Sequence, residues 1–303
     1  MLYMVDGNIF ESPAQTLVNT VNTAGAMGKG LAKEFKRLFP DMFTEYQRLC
    51  ESGSLDIGKL WLYPTKNKSV LNFPTKRHWR QPSKLEFIDL GLRTFVSVYD
   101  QARVTSIAFP QLGCGNGELD WAEVKPLMEM YLKSLPIDAY IYEVNRSTIP
   151  EHRNLKRMRQ WLVNEPQSLP FDEFKRDIEY VISTHQTVSD SSGTRFRVQF
   201  DSNTTTFENG GVEVLPWHGD DTGSGWLQLW QFIRNKGACT TTDLARMGLP
   251  QPGLLMALLR KLDYIKPLKI LDRMAIDAVR LSAPSTQGSF FSEKAEDTRT
   301  IPL

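Results

Sequence analysis

Over its first 145 residues the chain alternates short apolar runs with amphipathic helical patterns, and this alternation is its strongest constraint on the fold. The apolar runs predict strands at residues 2–5, 17–21, 59–63, 70–73, 105–109 and 139–143. The helical spacing predicts helices at residues 31–38, 41–51, 83–100 and 121–135, with Ser83 as the N-cap of the third. Strands that alternate with helices indicate an α/β domain with a largely parallel sheet.

Two glycine-rich segments follow strands and precede helices in this pattern. They are VNTVNTAGAMGKG at residues 18–30 and FPQLGCGNG at residues 109–117. Glycines let a ligand approach the backbone closely, and a helix N-terminus offers N–H groups to an anion. Neither segment has the spacing of a P-loop or of a dinucleotide fingerprint, and either one alone is compatible with a simple tight turn. Because ligands bind at the carboxyl ends of parallel strands, the pair predicts a site that holds a diphosphate from both sides.

A third segment, NFPTKRHW at residues 72–79, places three basic side chains beside an aromatic ring. A lysine acts as a nucleophile or base where burial or a neighbouring cation lowers its pKa. Arg77 and His78 are candidates for that neighbour of Lys76. A solvated basic loop that holds phosphates without chemistry is the alternative that composition leaves open.

These three segments, in this order, resemble a macrodomain of the DarG type, a family of DNA ADP-ribosyl glycohydrolases that act as antitoxins to DarT toxins. The resemblance covers about residues 1–145. It implies a three-layer α/β/α domain with a mixed, largely parallel sheet. It also implies that Lys76 attacks the anomeric carbon of the distal ribose and releases ADP-ribose from a nucleobase of single-stranded DNA, with no metal ion and no cofactor. We add His78 as a candidate that protonates the leaving base. The residues expected to bind ADP-ribose are Asn8, Ile9, Asn19, Asn22, Gly28, Lys29, Gly30, Leu31, Gln111, Gly113, Cys114, Gly115, Asn116 and Gly117.

The chain departs from the family pattern at two positions. Many macrodomains have an aspartate where this chain has Asn8, although the carbonyl of an asparagine also accepts a hydrogen bond from the adenine amine. Some lysine-dependent macrodomain hydrolases have an aspartate where this chain has Gly117, so a Lys/Asp pair is not carried over. The nearest acidic side chain in sequence belongs to Asp120, which we predict to be the N-cap of the next helix.

Trp79 and Arg80 follow the lysine segment directly. They are candidates for contacts with single-stranded DNA, since an aromatic ring stacks on bases and a guanidinium steers phosphates. Packing of Trp79 at the rim of the core is the equally weighted alternative.

The charge distribution bears on a protein partner. The formal net charge is +1, but residues 165–303 carry 15 Lys+Arg and 18 Asp+Glu, a net of −3. Residues 198–233 contain no Lys or Arg and five acidic residues. The resemblance implies that the C-terminal part captures a DarT-like toxin, whose DNA-binding surface this acidic segment would complement. A polar loop region with a chance charge bias is the interpretation that the residues alone favour.

We predict a macrodomain at residues 1–148, a linker at 149–170, an α+β toxin-interaction domain at 171–281 and a disordered tail at 282–303. Within the C-terminal domain, helices at 226–235, 241–247 and 252–262 resemble a winged-helix unit, with a cap formed by Thr240 and Asp243. A helix at 171–185 and two strands at 194–200 and 204–215, which pair with each other around Asn209-Gly210-Gly211, complete it.

Cysteine usage and hydropathy favour a cytoplasmic protein without a membrane segment. The three cysteines are widely spaced, which predicts neither disulfides nor a zinc site. No apolar run is long enough to span a membrane, and the N-terminal residues do not have the pattern of a signal peptide. The competing function is a non-catalytic module that binds ADP-ribose or a related nucleotide and carries a regulatory helix-turn-helix tail. Lys76 favours the enzyme, and the net charge of the tail argues against DNA binding there.

Overall fold

The computed structural model describes residues 1–143, 155–190, 193–201, 204–209, 212–218, 225–249, 251–271 and 275–282. The chain divides into two compact units, with the boundary between Arg159 and Gln160. The tail predicted at 282–303 lies outside the described residues from 283 onward, as do residues 144–154 of the predicted linker. No helix in the described ranges is long and apolar enough to cross a membrane.

The first unit is built around one six-stranded sheet. Its strands are β1 (Leu2–Asp6), β2 (Thr16–Asn22), β3 (Trp61–Pro64), β4 (Ser69–Lys76), β5 (Ser106–Pro110) and β6 (Asp138–Glu143). Their order across the sheet is β1-β6-β5-β2-β4-β3, and all neighbours are parallel except β3 with β4. The predicted α/β fold with a mixed, mostly parallel sheet is therefore confirmed.

Helices cover both faces of this sheet and form two separate cores. Helices α1 (Gly30–Leu38) and α2 (Pro40–Glu51) contribute Phe35, Met42 and Tyr46 to one core. Helices α3 (Leu85–Val98) and α4 (Trp121–Leu132) contribute to the other. Gly91 of α3 lies directly on the ring of Phe73, since a Cβ at this position would come within 2.2 Å of it. This close approach fixes α3 over β4.

The prediction that Ser83 caps the third helix is wrong. The helix begins at Leu85, its N-cap is Lys84, and no side chain makes a cap hydrogen bond. The backbone N–H of Ser83 instead donates to the carbonyl of Gly117 at 2.9 Å. Ser83 therefore joins the turn after β4 to the second glycine-rich loop.

The second unit contains a four-stranded and a three-stranded antiparallel sheet. Helix α5 (Leu155–Asn164) crosses the boundary between the units, and α6 (Phe171–His185) has the predicted bounds. The strands of the first sheet are β7 (Thr187–Ser189), β8 (Arg195–Asp201), β9 (Thr204–Asn209) and β10 (Val212–His218), in the order β10-β9-β8-β7. The remaining elements are α7 (Trp226–Lys236), β11 (Ala238–Thr240), α8 (Thr241–Arg246), α9 (Pro252–Leu259), β12 (Ile265–Leu271) and β13 (Ala275–Leu281).

Aromatic packing and one helix cap organise this unit locally. The ring of Phe174 in α6 stacks on Trp230 of α7 at 4.5 Å between centroids. The cap predicted for α8 is confirmed as a capping box, because Thr240 Oγ1 accepts from Asp243 N and Asp243 Oδ2 accepts from Thr240 N, both at 3.0 Å. The likeness of α7–β13 to a winged-helix unit stays a prediction.

Candidate functional site

Three loops meet at the carboxyl edge of the six-stranded sheet because the strands that deliver them are neighbours. Strands β5, β2 and β4 lie side by side and end at Pro110, Asn22 and Lys76. Beyond the strand ends the backbone N–H of Thr23 donates to the carbonyl of Lys76 at 3.0 Å, and its hydroxyl donates to the carbonyl of Arg77 at 2.8 Å. The first glycine-rich loop and the lysine segment are thus joined by the structure.

Asn22 braces the first glycine-rich loop. Its Oδ1 accepts hydrogen bonds from the backbone N–H groups of Ala24 at 3.1 Å and Ala26 at 3.3 Å. Its Nδ2 donates to the carbonyl of Ala26 at 2.7 Å, and the hydroxyl of Tyr46 donates to the Asn22 carbonyl at 2.6 Å. These bonds give the loop a defined shape before any ligand binds.

The N-terminus of α1 presents backbone donors at this edge. The helix starts at Gly30, its N-cap Lys29 makes no side-chain cap bond, and its first turn contains no acidic residue. The first N–H groups of a helix have no partner within the helix, so they are suited to a phosphate. Helix α4 differs, because Asp120 Oδ1 accepts from Ala122 N at 2.9 Å. Asp120 is therefore confirmed as an N-cap.

The second glycine-rich loop has no room for a side chain at Gly117. A Cβ there would come within 2.2 Å of the carbonyl oxygen of Gly113 and 2.3 Å of Ser83 Oγ. Both neighbours are held in place, since Leu119 N donates to the same Gly113 carbonyl at 3.1 Å and Ser83 N donates to Gly117 O at 2.9 Å. An aspartate therefore has no space at this position of the loop.

Lys76 and Asn116 connect the two loops. Lys76 is 6% exposed, and its Nζ donates to the backbone carbonyl of Asn116 at 3.0 Å. The side chain of Asn116 lies over the start of α1, because a Cβ on Gly30 would be 2.8 Å from Asn116 Nδ2. Gly30 has a φ of +56°, which is a second reason for glycine at this position. The structure thus places the predicted lysine between the two predicted phosphate loops.

The two candidate cationic neighbours of Lys76 are engaged elsewhere. The guanidinium of Arg77 forms an ion pair with Asp56 Oδ1 at 3.0 Å on the exposed surface. His78 is half-buried, and its Nδ1 accepts the backbone N–H of Arg80 at 3.1 Å. Because Nδ1 is the acceptor, the neutral ring carries its proton on Nε2.

The predicted stacking of Trp79 on DNA is wrong for this conformation. Trp79 is 0% exposed, so no base can reach its ring, and the packing alternative holds. The guanidinium of Arg80 lies 4.4 Å from the centroid of that ring. Arg80 is half-buried and remains a candidate for a phosphate contact.

Asn19 does not reach the edge of the site. It is fully buried in the middle of β2, where its Nδ2 donates to Asn72 Oδ1 at 2.9 Å across the sheet. Its predicted contact with ADP-ribose is wrong for this structure, because the strand on one side and the core on the other enclose the amide. Asn72 was missed by the sequence analysis, although it begins the NFPTKRHW segment.

The remaining predicted ligand residues lie at the same edge of the sheet with different exposures. Asn8 is exposed after β1, where its Oδ1 accepts from Phe10 N at 3.2 Å, and Ile9 is buried. Burial, followed by the charge of Asp120, raises the pKa of the Cys114 thiol to about 12, which is unsuited to a nucleophile. Gly28 and Gly113 are buried, Leu31, Lys29 and Gln111 are half-buried, and Gly115 is exposed.

Glu143, which the sequence analysis did not single out, ties α4 to the end of β6. Its Oε1 accepts hydrogen bonds from Lys125 Nζ at 3.0 Å and from Trp121 Nε1 at 3.1 Å. The bond from Lys125 lowers the pKa of the Glu143 carboxyl. Among the described residues, no group of His, Cys, Asp and Glu side chains is arranged to hold a metal ion.

Comparison with known proteins gives consistent matches to this unit. Residues 18–128 match the family model described as Macro domain. A DNA ADP-ribosyl glycohydrolase of Thermus aquaticus is 45% identical over 148 residues, which cover 47% of this chain and 41% of the relative. A DNA ADP-ribosyl transferase-DNA ADP-ribosyl glycohydrolase fusion protein of Thermosipho africanus is 40% identical over 169 residues, which cover 50% of this chain and 44% of the relative.

Among solved structures, the macrodomain of Thermus aquaticus DarG is 45% identical, and the match covers 48% of this chain and 99% of that chain with a TM-score of 0.46. The chain spans less than half the length of either of these two curated relatives.

Proposed function

We propose that the N-terminal unit, whose residues 18–128 match the Macro domain model, binds ADP-ribose and removes it from nucleobases of DNA. The observation that carries the proposal is the position of Lys76. Its amine is nearly buried and lies 3.0 Å from the backbone of the second glycine-rich loop, beside the first. A module that only binds ADP-ribose has no need of a buried amine at this point, which favours the enzyme over the non-catalytic alternative.

The two glycine-rich loops would hold ADP-ribose from both sides. The diphosphate would lie between the N-terminus of α1 and the backbone N–H groups of residues 113–117. The amide nitrogen of Asn22 carries two hydrogens, and Ala26 takes one of them. The other would donate to a hydroxyl of the distal ribose.

The reaction would proceed by attack of the neutral Lys76 amine on the anomeric carbon of the distal ribose. The new bond joins Nζ to that carbon, and the bond from the carbon to the base nitrogen breaks. The electron pair of the broken bond goes to the base, which takes up a proton. His78 is our candidate for its donor, and its ring would have to turn outward to act, because Nε2 is fully buried in this conformation. Water then hydrolyses the lysine adduct, which frees ADP-ribose and restores the amine.

Lys76→Ala tests this proposal in the full chain. Release of ADP-ribose from an ADP-ribosylated oligonucleotide should fall at least about a hundredfold, the low end for loss of a catalytic group. The Kd for free ADP-ribose, measured by calorimetry, should change less than about fivefold, which corresponds to about 1 kcal/mol. Lys29→Ala is the matched control, since it removes a lysine from the first phosphate loop and should weaken binding without abolishing turnover.

Turnover by Lys76→Ala that stays near the wild-type rate contradicts the lysine mechanism. A wild-type chain that binds ADP-ribose but releases none from DNA supports the non-catalytic alternative instead.

We further propose that the second unit binds a DarT-like toxin. The supporting observation is the Thermosipho africanus relative, which is a fusion of a transferase with a glycohydrolase. Residues 165–225 carry 4 Lys+Arg and 11 Asp+Glu, a net charge of −7 that complements a DNA-binding surface. The negative charge of segment 198–233 is partly compensated in the folded unit, because Arg197 of β8 lies opposite Glu208 of β9. Asp220 and Asp221 lie outside the described residues.

Charge reversal tests this second proposal. In the double variant Glu179→Lys/Glu208→Lys, the Kd of the full chain for the toxin, measured by calorimetry at low salt, should rise. The reason is that lost charge complementarity slows association. Asp100→Lys, an exposed reversal in the first unit, should leave binding unchanged. Equal affinities for all three proteins would contradict the assignment of this surface.

A further inference from the structure

The second unit separates its charges along the chain. Residues 165–225 have a net charge of −7, whereas residues 226–282 carry 9 Lys+Arg and 4 Asp+Glu, a net of +5. The net of −3 for the whole C-terminal part therefore conceals a basic part, which comprises α7–α9 and the three-stranded sheet. Within the second unit, a partner of negative charge would be attracted to this part.

Two cations lie directly opposite each other on this sheet. Lys266 of β12 and Arg280 of β13 are Cα partners in an antiparallel pair, and both are exposed. Side chains at directly opposed positions emerge on the same face about 5 Å apart, and like charges in this arrangement repel. Neither makes an ion pair with a carboxylate within the part of the chain that the structure describes. An anion between them would turn this repulsion into attraction.

Lys236, a nearby lysine of the same unit, differs because a carboxylate and an aromatic ring lie close to its amine. Lys236 ends α7, and the carbonyl of the next residue, Gly237, accepts from Leu281 N at 2.8 Å beside Arg280. The amine of Lys236 lies 3.7 Å from Asp243 Oδ1 and 4.6 Å from the centroid of the Phe232 ring. The contrast indicates that Lys266 and Arg280 are placed for an external anion.

Two further cations occupy the turn that leads into this sheet. Arg260 and Lys261 are exposed at the end of α9. The turn that follows them is compact, because Ile265 N donates to Leu262 O at 3.0 Å. It is also held to the end of β13, since Ser282 N donates to Tyr264 O at 2.9 Å. Arg260 and Lys261, with the exposed Asp263, thus lie in a turn that adjoins the strands of Lys266 and Arg280, and we call Arg260, Lys261, Lys266 and Arg280 the basic face.

We propose that the basic face binds the phosphate backbone of DNA. Several cations on a sheet and its adjoining turn suit a row of phosphates, whose counterions are released when the phosphates are neutralised. The helix beside this face is unsuited to contacts with base edges, because five of the eight residues of α9 are buried and none is charged. DNA binding by the basic face is therefore independent of the DNA sequence. This binding also does not require the macrodomain to be a hydrolase.

Fluorescence anisotropy with the full chain and an unmodified, labelled 20-nucleotide DNA tests this proposal. Each phosphate contact of a single strand contributes about 0.7 to the slope of log K against log salt, so two lost contacts correspond to roughly 60-fold weaker binding at 50 mM salt. We expect at least this loss for Lys266→Glu/Arg280→Glu, with the salt slope reduced by about 1.4. Arg195→Glu/Arg197→Glu changes the net charge equally on β8 and should stay within about threefold of wild type.

Two additions make the outcome decisive. Lys266→Glu alone places a carboxylate opposite Arg280 and so preserves the fold, and it should still weaken binding. Single-stranded and duplex forms of two unrelated sequences separate backbone contacts from base recognition. The proposal is overturned if the wild-type chain does not bind DNA at 50 mM salt, if the double variant binds as tightly as wild type, or if only one sequence is bound. Because the DNA carries no ADP-ribose, inactivity of the macrodomain would not change the result.

Discussion

Substitution of Gly117 by alanine tests whether the second glycine-rich loop is held in place as the structure indicates. The added Cβ would lie 2.2 Å from Gly113 O and 2.3 Å from Ser83 Oγ. Ordinary contacts require more than 3 Å, so the loop or its neighbours must shift by about 1 Å. Overpacking of this kind costs about 1–3 kcal/mol. For a unit of this size the melting temperature should fall by roughly 2–12 °C.

The same shift should weaken ligand binding. A displaced loop loses at least one backbone donor to the diphosphate, and a hydrogen bond to a charged group contributes about 1.5–3 kcal/mol. The Kd for ADP-ribose should therefore rise roughly 10- to 150-fold in calorimetry.

Gly53→Ala is the control for this substitution. Gly53 has a φ of +67°, but a Cβ there would meet nothing within 4 Å. It should lower the melting temperature through backbone strain and leave the Kd unchanged. If Gly117→Ala keeps both its melting temperature and its affinity near wild type, the steric argument is refuted, and with it the reason why an aspartate is absent from this loop.

Three further results are expected from other parts of the chain. In native protein at pH 8, iodoacetamide should label Cys114 on the order of a thousandfold more slowly than a free cysteine, since a thiol with a pKa of about 12 is almost entirely protonated; peptide mass spectrometry measures the rate, and fast labelling would contradict the burial. Thr240→Ala removes the capping box of α8 and should lower the free energy of unfolding of the second unit by about 1 kcal/mol in urea titration, whereas no change would show the cap to be dispensable. Trp79→Ala should cost about 3–5 kcal/mol because the ring is fully buried, and retained stability with weakened DNA binding would restore the stacking role instead.

Much of the fold follows from periodicity alone. The predicted strands and helices of the first unit all occur. The predicted pairing of the strands at 194–200 and 204–215 occurs as the antiparallel pair β8 and β9, whereas the second predicted strand is divided into β9 and β10. Strands β11, β12 and β13 were not predicted. Strand β11 has only three residues, and β12 contains Lys266 and Pro267, which interrupt an alternating pattern. Their pairing depends on contacts between distant segments, which local patterns do not contain.

The site was predicted where the sequence carries backbone constraints, and mispredicted where it depends on burial. Glycine-rich loops after strands have a local physical cause, so Gly30, Gly117 and the position of Lys76 could be anticipated. Trp79 and Asn19 were assigned to ligands because of their residue types. Their burial results from packing against parts of the chain that are far away in sequence, such as Asn72 for Asn19.

The net charge of a long segment likewise fails to predict what binds to its local surfaces. A net charge of −3 argued against DNA binding by the C-terminal part, yet electrostatic attraction is screened over about 10 Å at moderate salt, so a partner responds to local charges. The register of β12 and β13 brings Lys266 and Arg280 together from positions fourteen residues apart, while the register of β8 and β9 sets Arg197 against Glu208. Strand pairing thus sets like charges opposite each other at one pair of positions and opposite charges at another. Under the two proposals above, the acidic surface of the second unit would bind a basic toxin and its basic face would bind DNA.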